Sequence, residues 1–181
     1  ELELTRGNAR TAALIQRMSL RYAGNWRSIL GSGSQWELYI LSMCLITDVE
    51  LSPDDAAELD AAAVRARAVP LLRDILSDPD PRQRDIPTIM AFVAAVGLSV
   101  VAAEDTGSDR RAAGAELVAT ALAVGTNQTC RLLSHDYLRS RTERLDTRAL
   151  AQAEERIRPL NRSELVAHAA DLAGRLAGEV G

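Results

Sequence analysis

At 181 residues, with 47% hydrophobic and 25% charged side chains, the chain is long enough for one domain with a sizeable core. All 21 basic residues are arginine, which excludes chemistry that needs a lysine, whether a Schiff base or a phosphate-loop amine. The net charge of −4 gives no electrostatic footprint for nucleic acid, and none is expected as a partner.

Aromatic residues make up only 3% of the chain, so the core has to be built from Leu, Ile, Val and Ala. A chain rich in Ala, Leu, Arg and Glu favours helix over strand. Cys44 and Cys130 lie far apart on apolar segments and read as small buried hydrophobes. No signal peptide is visible, which leaves the cytoplasm as the default location.

Residues 8–23 place Ala12, Leu14, Ile15 and Met18 at helical spacing, and Gly24 is expected to close that helix. The connection 25–33 reads as a turn with one extra helical turn near Trp26. Its Gly-Ser-Gly-Ser tract lacks the Gly-Lys-Ser/Thr ending of a phosphate loop. Ser34 and Glu37 form a capping box ahead of a helix over about 35–47. Trp36, Tyr39, Ile40 and Met43 fall on one side of it and Leu38, Leu41 and Leu45 on the other, so it must be covered all round.

Ser52 and Pro53 start a further helix, with Asp54 and Asp55 in its first turn facing the positive end of the helix dipole. It is expected to run to about Val69, where Pro70 kinks it or begins a short helix ending near Ser77. Residues 77–85 form the most loop-like stretch, with Arg82 and Arg84 solvated. Ile86–Ala103 carries no charged residue; Pro87 suits the first turn, and Gly107 supplies a stop. Its length is at the bottom of the membrane-span range of roughly 17–25 residues. Pro87, Thr88, Gly97, Ser99 and several alanines weaken its hydrophobicity, and no aromatic belt flanks it. It therefore reads as a core helix, and no membrane span is expected.

From Ser108 a long helical pattern reaches about Arg141, with a kink expected near Gly125–Asn127. Asp146 caps a short helix through Arg156, Pro159 interrupts, and Asn161 and Glu164 box the start of the last helix. That helix carries Leu165, Ala169, Leu172 and Leu176 in a narrow stripe, suited to docking on its own core or to pairing with a second chain. The expected architecture is all-α: a single globular domain over residues 1–181, with six or seven helices organised on two central apolar ones at about 35–47 and 87–103.

Asp54, Asp55 and Glu58 are written DDAAE, similar to the acidic metal-binding signature of helical isoprenoid enzymes, where carboxylates hold Mg²⁺ against a diphosphate. The chain is much shorter than those enzymes and has no second such motif, and acids after a Ser-Pro cap are expected from the dipole alone. Asn127, Arg131 and His135 are spaced four apart, so on one helix they would stack as a polar ladder. His135 would then be a general acid or base and Arg131 an anion clamp. His168 flanks the C-terminal stripe as a boundary histidine, and Arg139, Arg141, Arg144 and Arg148 read as a solvated surface. No cofactor is expected.

Three functions fit these features. The first is a non-catalytic binding or regulatory module, or a subunit, that works through a protein surface or as a homodimer. The second is a small-molecule carrier or sensor with an apolar ligand held between the two central helices. The third is a small lyase- or cyclase-like enzyme using Asp54, Asp55 and Glu58, or Arg131 and His135.

Overall fold

Every residue from Thr88 to Val101 is buried, as an uncharged, all-round apolar helix requires. The computed structural model describes residues 2–30, 35–77, 85–103, 107–126 and 130–178. Among these the chain forms nine α-helices and no strand. They are α1 (Leu2–Thr5), α2 (Ala9–Leu30), α3 (Gln35–Asp48), α4 (Pro53–Glu58), α5 (Ala61–Leu76), α6 (Ile86–Ala102), α7 (Ser108–Val124), α8 (His135–Ile157) and α9 (Arg162–Gly178). A 3-10 turn over Arg131–Leu133 precedes α8. The two expected central helices are α3 and α6; α6 is the hub, with α3, α5, α7 and α8 packed on it. No helix among the described residues is long and apolar enough to cross a membrane.

The tightest seam is between α6 and α7, where Gly97 meets Gly114. A methyl group added at Gly97 would stand 2.5 Å from the Gly114 carbonyl oxygen and 2.9 Å from Leu117 Cβ. One added at Gly114 would stand 2.8 Å from the Gly97 oxygen. Two glycines therefore set the distance at which these helices cross, closer than side chains would allow.

Several boundaries differ from expectation. Gly24 does not end α2, which continues to Leu30; one glycine weakens a helix by only about 1 kcal/mol relative to alanine. The Ser34 capping box lies outside the described residues. The helix begun at Ser52 stops at Glu58, and Asp60, in the left-handed region at φ 53°, caps α5 by accepting the Ala63 N–H. α5 then runs straight through Pro70. The carbonyl that Pro70 cannot serve belongs to Ala66, an exposed residue of the helix.

Asp146 behaves as its sequence implies, its Oδ1 accepting the Ala149 N–H at 2.9 Å, and its own backbone leaves the helix (φ −160°, ψ 88°). α8 is folded back on itself at this point. Arg139 pairs with Glu154 at 2.6 Å, whereas fifteen residues of straight helix would separate them by about 22 Å.

Buried charges tie the bundle together. Arg17 donates to both Asp48 oxygens, at 2.8 and 3.1 Å, and its Nε donates to the Leu59 carbonyl. Burial still pushes the Asp48 carboxyl above its ordinary range, with the Arg17 guanidinium pulling the other way. Glu37, buried in the first turn of α3, accepts from Arg67 of α5 at 2.7 Å. Cys44 and Cys130 are buried and joined in no disulfide, and desolvation raises the Cys44 thiol to about 12.

Candidate functional site

The acidic cluster is clamped from within the chain. Arg10 of α2 reaches Asp55 at 2.5 Å and takes both Glu58 oxygens, at 2.8 and 2.7 Å. Asp55 also accepts the Ser52 hydroxyl at 2.7 Å. The Ser52 hydroxyl, then Arg10, hold Asp55 below the usual carboxylate range, and Arg10 does the same for Glu58. This tie between α2 and α4 is therefore complete above the ordinary carboxylate pKa of about 4 and is lost as pH falls through the lowered values. Asp54 and Glu58, which a metal on this helix face would have to bridge, are both exposed on a six-residue helix. Among the described residues no three His, Cys, Asp or Glu side chains converge as a metal shell. Magnesium at millimolar concentration is expected to leave the melting temperature unchanged. A rise that disappears in Asp54→Asn would instead identify a metal site.

The polar ladder does not form on a helix. α7 ends at Val124, where Gly125 at φ 111° breaks the pattern, and the next α-helix begins only at His135. Arg131 stands exposed in the 3-10 turn, and Asn127 lies outside the described residues. His135 Nε2 accepts the Thr126 N–H at 3.2 Å, so the ring helps fasten the loop between the helices.

His135 also borders a cavity of about 450 Å³ in the crook of the folded α8, floored by Leu122 and Ala123. Arg139 and Arg158 reach its rim, but each already has a carboxylate, Glu154 at 2.6 Å and Glu155 at 2.5 Å. Among the described residues that line it, His135, Arg139 and Arg158 are each already engaged. Along most of their length α3 and α6 pack directly on each other, with Leu41, Leu45, Met90 and Phe92 fully buried. A second cavity of about 410 Å³ lies where the C-terminal ends of α3 and α6 meet the start of α5, lined by Leu45, Asp48, Leu51, Arg65, Ser99 and Ala102 among others. Its polar groups are also engaged: Asp48 by Arg17, and Arg65 by the Ser99 carbonyl at 3.1 Å.

His168 is part of a cluster that the sequence did not disclose. Glu116, buried in the middle of α7, bonds His168 Nε2 at 2.9 Å and is paired with Arg156. One carboxylate thus joins α7, the returning half of α8, and α9. Glu116→Ala is expected to cost about 2 kcal/mol, since it strips two charge-assisted partners, one of them half exposed. The melting temperature should then fall by about 4–8 °C in a calorimetric scan.

The C-terminal stripe is an intramolecular seam. Leu165, Ala169, Leu172 and Leu176 are all buried, and α9 docks on α5 and α7. The open apolar surface is elsewhere, on α2. That helix turns Ala12, Ala13, Gln16 and Leu20 to the core and leaves the opposite side to solvent, with Leu14 44%, Ile15 52%, Met18 57% and Tyr22 66% exposed. The sequence had not distinguished these sides, because Leu14, Ile15 and Met18 are the more hydrophobic set. Small alanines let α2 sit close on α3, and the larger residues are left outside. Trp36, expected to be covered, is 68% exposed in the first turn of α3 and meets Tyr39 edge-on at 6.4 Å.

No known protein family, curated protein or solved structure matches the chain.

Proposed function

We propose that this chain is a non-catalytic helical binding module that works through the outward face of α2. The observation that carries the reading is a helix apolar on two opposite sides, only one of which its own core uses. Scattered exposed hydrophobic residues are ordinary, but four at positions 14, 15, 18 and 22 fall in one row along the helix. The chain contains two tryptophans, three tyrosines and one phenylalanine, and it leaves Tyr22 and Trp36 two-thirds exposed. Large aromatics held at a surface are the residues that anchor interfaces. The enzyme reading has less support: Asp55 and Glu58 are tied to Arg10, and His135 to a backbone N–H.

Size measurement in cell extract tests this reading. The tagged chain is expected in an assembly larger than its own 19.5 kDa. The double variant Ile15→Glu/Met18→Glu should run as the single chain, with an unchanged melting temperature when purified. A wild-type chain that runs alone, or a double variant that keeps the assembly, would contradict the proposal.

A further inference from the structure

We infer that the occupant of this face is a second copy of the chain, through antiparallel pairing of α2 with its two-fold mate centred on Met18. The inference rests on the reading above and names its partner.

The first support is register. Leu14 and Tyr22 each lie four residues from Met18, so a two-fold axis at Met18 sets Leu14 against the partner's Tyr22 at both ends, small against large, and Ile15 against the aliphatic stem of the partner's Arg21. The same row of residues then serves both chains, as an isologous interface requires.

Charge is the second support. α2 contains no acidic residue, and two of its arginines are already neutralised, Arg10 by Asp55 and Glu58 and Arg17 by Asp48. Only Arg21 edges the stripe with no acid on it among the described residues. Pairing about Met18 keeps Arg21 and the partner's Arg21 about 9 Å apart along the helices, near the Debye length at physiological salt. Self-pairing thus meets little repulsion, and the face holds little charge with which to draw an acidic protein.

Area is the third. The four exposed side chains offer roughly 450 Å² per copy, so two copies with a rim of Thr11 and Arg21 pass the about 1,000 Å² that a specific interface needs.

Sedimentation equilibrium of the purified full chain at high micromolar concentration should give twice 19.5 kDa, and Met18→Glu should give a folded species of 19.5 kDa. Geometry is tested with Met18→Cys, because both native thiols are buried. Mild oxidation should link Met18→Cys into a disulfide dimer and should not link Ser140→Cys, on the exposed side of α8. A wild-type chain that stays at 19.5 kDa overturns the inference, as does cross-linking equally at positions 18 and 140. If that monomer still enters an α2-dependent assembly in extract, the binding-module reading survives with another partner. If no such assembly exists, both fail.

Discussion

Replacing Val96 by aspartate is expected to leave the chain without a soluble folded state. Val96 has no exposed surface and lies on α6, the helix on which α3, α5, α7 and α8 all pack. A carboxylate there would face Val, Ala and Leu side chains with no cation in reach on its own helix, which carries no charge. An unpaired buried charge costs several kcal/mol, against a total stability of about 5–15 kcal/mol for a domain. Because α6 is the hub, the loss cannot be confined to one edge. Expression should yield insoluble protein, and any soluble fraction should lack cooperative melting; a Val96→Asp chain that melts like the wild type would refute the arrangement around α6.

Gly97→Ala is the second large effect, and it acts through backbone. The added methyl would meet the Gly114 carbonyl at 2.5 Å, and a carbonyl in mid-helix cannot turn aside. Relief requires moving α7 away from α6, which opens packing along the seam. Overpacking of this kind costs about 3 kcal/mol, the upper part of its usual range. For a chain of this size the melting temperature should fall by about 6–12 °C. Gly114→Ala should behave alike, and the double variant should cost less than the two together, because the first change has already parted the helices. Full additivity would mean that the two glycines do not share one crossing.

The sequence disclosed those features whose causes are local. The run from Ile86 to Ala102 has no charge to place in water, so its burial could be read directly. Ser52 with Pro53, and Asp146, mark helix starts by chemistry completed within three residues, and both caps are present. Features closed by distant partners were not legible. Glu116 looks like an ordinary mid-helix acid until His168, 52 positions on, is beside it. Asp55 and Glu58 suggest a metal until Arg10, 45 and 48 positions earlier, is found on them. Helical spacing likewise brought Asn127, Arg131 and His135 together only on the premise of one helix, and Gly125 breaks that premise.

The choice of face on α2 was illegible for a different reason. Both sides are apolar, and hydrophobicity alone favours burying Leu14, Ile15 and Met18. Closeness of approach favours Ala12 and Ala13, and the packed structure follows closeness. That inversion is what leaves an apolar surface outside.

Position-specific photo-cross-linking in the cells that make the protein tests the α2 face most directly. A photoreactive residue in place of Tyr22, two-thirds exposed at the end of the stripe, should give a discrete adduct. The same residue at Ser140, exposed on α8, should give none. An adduct of twice the chain mass would show a second copy on the face, and any other discrete mass a different protein. No adduct at position 22, or equal adducts at both positions, would contradict the claim that this chain works through the outward side of α2.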